Sequence, residues 1–140
     1  MIKNILAIAF FCSLSSSQTI IHNPIFDLDS NKSYNIEASI LGYDGNYMNL
    51  KATLFYRSYG QSTYFNDKMV YLNGKFRYTI PSSFIQNAVE YYILIENLNG
   101  GVIAFPVDNP IENPILVKTE KFTSSSNNSI ENLVPDYEIL

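Results

Sequence analysis

The chain has one cysteine, one histidine and no tryptophan among its 140 residues. The cysteine, Cys12, lies in an apolar N-terminal run. Once that run is removed as a leader, no disulfide, thiolate metal site or thiol nucleophile remains. A lone histidine, His22, supplies no metal-spaced cluster. It stands beside Pro24, away from the serines, which gather in the leader and near the C-terminus, whereas nucleophilic catalysis needs a base held against its nucleophile. Positive charge is also scarce: 9 Lys and Arg against 13 Asp and Glu give a net charge of −4. That balance disfavours a nucleic-acid-binding surface and an electrostatic hold on anionic lipid. A glycine-rich phosphate loop is missing too. These absences lead to the expectation that the chain is not an enzyme and holds no cofactor or metal.

What is present starts with the leader. Lys3 is followed by the ten-residue apolar run Ile5 to Leu14, and Ser15 and Ser17 supply the small-x-small pattern for cleavage before Gln18. The run is shorter than the roughly 20 residues that anchor a chain across a bilayer. Phe10 and Phe11 precede Cys12 where lipoprotein processing needs small residues, so the expectation is an exported, unlipidated protein with no transmembrane span. Its destination is the periplasm, an outer-membrane-associated site or the extracellular space. A secreted domain without disulfides points to a bacterial envelope or extracellular protein.

Aromatic and β-branched content dominates the remainder, with 11 Tyr and 9 Phe, and leans towards strands. Tyr34, Ile36, Ala38 and Ile40 alternate with polar neighbours, as do Met48 to Tyr56 and Phe76 to Ile80; period two marks strands with one buried face. Thr19 to Ile25 reads as an edge strand interrupted by Pro24, and Thr63 to Tyr71 as a further single strand. Asn73-Gly74 marks a tight turn. Asn99-Gly100 predicts a two-residue hairpin joining Val89–Leu98 to Gly101–Phe105. Apolar at nearly every position, Val89–Leu98 reads as a central strand covered on both faces. Ile115 to Thr119 is the last expected strand, and together with Thr19 to Ile25 it is where another chain's strand would add to an edge. Lys121 to Asn132, rich in Ser and Asn, reads as a solvated linker.

Short strands punctuated by turns every 8–12 residues, without repeats or long helices, predict an antiparallel β-sandwich of about seven strands. Through Ala52 to Arg57 (ATLFYR), Tyr78 to Pro81 (YTIP), Glu90 to Ile93 (EYYI) and Asn97 to Gly100 (NLNG), the chain resembles immunoglobulin-like or fibronectin type III-like domains of bacterial surface and secreted proteins. It lacks the Cys pair and Trp of antibody-type domains. The expected organisation is a signal peptide over residues 1–17, the sandwich over 18–120, and over 121–140 a linker with the start of a further module.

Three constellations bear on function. Glu90 and Glu96 share a strand face, but six residues at about 3.3 Å each place them ~20 Å apart, beyond any glycosidase carboxylate pair. Asp27, Asp29 and Asn31 resemble the start of a calcium loop, yet Lys32 stands at the glycine position and Ala38 at that of the closing glutamate, so a turn capped by aspartate is expected. Tyr43, Tyr47, Tyr59 and Tyr64 fall at turns and are the candidate ligand contacts. The expected function is therefore a structural or interaction module partnering other modules of a larger chain or envelope proteins. The alternative is a carbohydrate- or ligand-binding accessory domain, with those tyrosines stacking on the ligand.

Overall fold

The computed structural model describes residues 17–119. Residues 1–16, with Cys12, and the stretch 120–140 lie outside them, and with them most of the expected leader and the expected linker.

Ten strand segments form the body: β1 (Thr19–Ile21), β2 (Asp27–Leu28), β3 (Tyr34–Leu41), β4 (Leu50–Ser58), β5 (Phe65–Lys68), β6 (Val70–Leu72), β7 (Lys75–Ile80), β8 (Ala88–Asn97), β9 (Val102–Phe105) and β10 (Ile115–Thr119). They make two sheets. One has the order β1-β3-β7-β6; the other runs β2-β10-β8-β4-β5, with β9 also on β8. All pairings are antiparallel except that of β2 with β10. The sheets close on a core drawn from alternate residues: Ile36 of β3, Leu54 and Tyr56 of β4, Phe76 and Ile80 of β7, and Tyr91, Ile93 and Ile95 of β8 are all buried. Removing an aliphatic or aromatic side chain of this kind from water contributes about 1.5–3 kcal/mol. The architecture is thus an all-β sandwich.

The segments outnumber the expected strands for two reasons. One is β2, which falls at Asp27–Leu28 where a turn is expected. The other is a division that alternation does not reveal. Thr63 to Tyr71 is not one strand: β5 pairs with β4 in one sheet and β6 with β7 in the other. The crossing point is Met69, only 1% exposed, whose N–H donates to the Ala52 carbonyl at 2.9 Å. Beside it, the Tyr56 and Tyr78 hydroxyls both donate to Asp67 Oδ2, at 2.8 and 2.7 Å, which ties β4, β7 and β5 across the two sheets.

Turn chemistry accounts for one agreement and two further differences. Asn73 and Gly74 have φ of 51° and 80°, the double left-handed geometry of a two-residue hairpin. At Asn99-Gly100 only Gly100 is left-handed, with φ of 80°. Its N–H donates to the Asn97 carbonyl at 3.1 Å, and Asn97 Oδ1 accepts from the N–H groups of Asn99 and Gly101. The result is a type I turn with a glycine bulge rather than a two-residue hairpin. Met48 does not begin a strand. Asn46 caps a 3₁₀ turn over Tyr47–Asn49 by accepting from the Met48 N–H, and β4 starts at Leu50.

Two expectations about edges and faces are corrected. β10 is not an edge, because β8 flanks it on one side and β2 on the other. β8 is central, but its second face is not covered by another layer of the fold: Glu90, Leu94 and Glu96 on that face remain partly exposed, and only Ala88 and Tyr92 are buried there.

Candidate functional site

The two outer faces of the sandwich differ in chemistry. On the four-stranded sheet the outward residues at the middle of β3 and β7 are polar and paired with one another, while Ile21 of β1, Leu41 at the end of β3, and Val70 and Leu72 of β6 are exposed apolar residues on the same face. Glu37 accepts from Lys75 Nζ at 2.6 Å and forms an ion pair with Arg77 Nε at 2.8 Å, and the Thr79 hydroxyl donates to Asn35 Oδ1 at 2.6 Å. Arg77 Nε is held there by its ion pair with Glu37 without a hydrogen bond.

The outer face of the six-stranded sheet is aromatic and aliphatic at its centre. The register sets Phe55 of β4 opposite Tyr92 of β8, and Thr53 opposite Leu94. The Phe55 and Tyr92 rings stack, with centroids 4.7 Å apart and planes 4° from parallel. Tyr64 meets Tyr92 edge-on at 5.1 Å and donates its hydroxyl to the Ile111 carbonyl at 3.4 Å, linking the β5 side of the sheet to the loop 106–114. The Arg57 guanidinium lies 4.2 Å from the Tyr64 ring centre, a contact worth about 0.5–2 kcal/mol. Its Nε donates to Glu90 Oε2 at 2.6 Å, with side chains 20% and 14% exposed. Burial pushes the Tyr64 and Tyr92 phenols up, against the downward pull of Arg57, so both stay protonated at neutral pH.

This aromatic ridge ends on a shallow groove of about 250 Å³. Its floor is Phe55 and Leu94; Thr53 and Asn66 stand beside them, and Lys51, Lys68 and Glu96 form the rim. Lys51 and Glu96 pair across strands at 3.2 Å.

The sequence-predicted tyrosines do not form one platform. Tyr43 and Tyr47 sit edge-on at 5.2 Å before β4 begins, and Tyr47 stacks on Tyr71 at 5.2 Å. Tyr59 and Tyr64 follow the end of β4, a nine-residue strand away, or roughly 30 Å. Of the four, only Tyr64 belongs to the outer-face cluster. The residues that reasoning from sequence missed, Phe55, Tyr92 and Leu94, carried a legible signal: each is apolar at the outward parity of its strand.

Other candidates resolve into structure. Glu90 and Glu96 do share the outer face, where Arg57 and Lys51 pair with them. Asp29 Oδ1 accepts from the Asn31 N–H at 3.0 Å in an aspartate-capped turn, and that hydrogen bond leads the causes holding its carboxyl below the usual range. Among the described residues, no group of three or more His, Cys, Asp or Glu is placed to hold a metal. His22 is buried between the sheets. Its Nδ1 lies 2.6 Å from the Glu37 carbonyl oxygen and its Nε2 2.7 Å from the Tyr91 hydroxyl. The carbonyl only accepts, so Nδ1 carries the proton and the Tyr91 hydroxyl donates to Nε2. Tyr91 lies 3.3 Å from the Tyr34 hydroxyl, which accepts from the Ile25 N–H at 2.9 Å.

No family model matches the chain, and no curated protein matches it. Among solved structures, it is similar to a superoxide reductase (neelaredoxin) from Ignicoccus hospitalis, at 9% identity and a TM-score of 0.50, over 73% of this chain and 80% of that one. At that identity the likeness is one of fold alone. It does correct the expectation that this chain is not an enzyme, because a protein of similar architecture is an enzyme. The missing thiol, metal-spaced cluster, base–nucleophile pair and phosphate loop each bear on one chemistry only, and a sandwich fold does not restrict the chemistry it carries.

Proposed function

We propose that the chain is an exported interaction module of immunoglobulin-like type, one part of a larger envelope or secreted assembly, which docks through the outer face of its six-stranded sheet. The contrast between the centres of the two outer faces carries the reading: one is a set of self-paired polar residues, the other an aromatic ridge and apolar-floored groove rimmed by charge. Strand order supports the immunoglobulin-like type. Matched in chain order, β1, β3, β7 and β6 correspond to strands A, B, E and D of that fold, while β4, β8 and the divided run β9–β10 correspond to C, F and G. Export rests on the leader-like pattern of residues 1–17, and the Ser/Asn-rich stretch after Lys121 would space this module from a neighbour.

Two measurements test these statements. Mass spectrometry of the protein made in its source cells is expected to find a mature chain beginning at Gln18 in the exported fraction; an intact Met1 terminus in the cytoplasm would refute export. A photo-crosslinking residue at Leu94 is expected to yield adducts with envelope or secreted partners in the same cells, and one at Thr79 on the polar face is not. Equal adduct yields at the two positions would remove the assignment of the docking face.

A further inference from the structure

We infer that the groove over Phe55 and Leu94 is a saccharide-binding site that takes a single sugar ring of a glycan chain. The inference rests on the docking face proposed above and names the chemistry that it recognises.

A pyranose has one surface made largely of C–H groups and a periphery of hydroxyls, each of which both donates and accepts. A matching site therefore needs an apolar floor and a rim of both donors and acceptors, with neither sign of charge dominating. Tyr92 occupies one face of the Phe55 ring, so the groove meets the other face and the edge. Leu94 completes the apolar floor. On the rim, the Lys51 and Lys68 ammonium groups donate, the Glu96 carboxylate accepts, and the Thr53 hydroxyl and Asn66 amide do both. A purely apolar ligand would leave Lys68, Thr53 and Asn66 facing it unpaired, and a simple cation would meet the lysines. The groove volume of about 250 Å³ accommodates one ring, with the chain leaving at either open end. Preorganisation comes from behind: the Tyr92 stack, the Tyr64 edge contact and the Arg57–Glu90 pair fix Phe55 from the side away from the ligand.

The test is a glycan array bearing neutral, N-acetylated and uronic-acid oligosaccharides, followed by NMR titration of the folded protein with the strongest hit. The expected result is binding with amide shifts concentrated at Thr53, Phe55, Asn66 and Leu94. Phe55→Leu and Asn66→Ala are each expected to weaken it about tenfold, while Thr79→Ala on the opposite face leaves it unchanged. Circular dichroism of each variant separates loss of binding from loss of fold, and Asn66→Ala, at an exposed edge position, is the variant that keeps the fold. An empty array, shifts that map elsewhere, or affinity indifferent to both groove substitutions would overturn the proposal. If the Leu94 cross-links survive an empty array, the docking face stands and only the ligand class falls.

Discussion

Replacing Tyr91 by alanine is expected to lower stability by about 3–5 kcal/mol, and replacing it by phenylalanine by about 1–3 kcal/mol. A sandwich of this size has only about 5–15 kcal/mol in total, so the alanine variant stands at the edge of unfolding at 25 °C. Tyr91 is fully buried at the centre of β8, and the alanine change removes a core ring. The phenylalanine change keeps the ring and deletes one oxygen. That oxygen donates to His22 Nε2 at 2.7 Å and lies 3.3 Å from the Tyr34 hydroxyl. Without it, a buried imidazole nitrogen has no donor. The group sits where the chain leaves β1 in one sheet to cross towards β2 in the other, so the hydroxyl pins the crossover as well as the core. Urea unfolding of the three proteins measures both effects. If Tyr91→Phe is as stable as the wild type, the hydroxyl chain contributes nothing and the crossover is held by packing alone.

Much of the scaffold was legible. Alternation located β3, β4 and β7, and Asn73-Gly74 located one hairpin, because a strand's inward parity and a left-handed turn are local properties. Registration between strands is not local, and there the sequence reading stopped. His22 and Tyr91 are 69 residues apart, and nothing in either neighbourhood marks the other as its partner. Met69 looks like one more inward position of a strand, since period two states which face is buried but not against which sheet. The apolar run of β8 was read as burial on both sides; what covers Tyr92 is Phe55 and Tyr64 on its own outer face. Tyrosines near turns are the candidate ligand contacts in sequence because turns are exposed. Position along β4 divides them between its two ends, and the outward aromatic parity of Phe55 and Tyr92 proved the better pointer to a site.

The second large effect is on pH dependence, and the single histidine makes it separable. Burial lowers the His22 pKa from the ordinary value of 6.5, outweighing the hydrogen bond to the Glu37 carbonyl, which raises it. The unfolded chain therefore binds a proton, as pH falls below 6.5, that the folded chain refuses. The sign follows: stability is full above 6.5 and falls as pH drops towards the lower folded value, with a limiting slope of about 1.4 kcal/mol per pH unit for one proton. The carboxylates act lower down. Hydrogen bonding from Lys75 leads the causes that hold Glu37 below its usual 4.5, and hydrogen bonding from the Asn31 N–H does the same for Asp29 below 3.8, so what they contribute is lost only in more acid solution. Burial pushes the nearby Tyr91 phenol up, so it remains protonated throughout this range. The urea midpoint is thus expected to decline between pH 7 and pH 5 in the wild type and to stay flat over the same interval in His22→Gln, whose side chain bears no titrating proton. A wild-type midpoint that does not move, or a His22→Gln midpoint that declines in parallel, would mean that the imidazole is not held neutral by burial, and the proton order assigned along His22, Tyr91 and Tyr34 would have to be reversed.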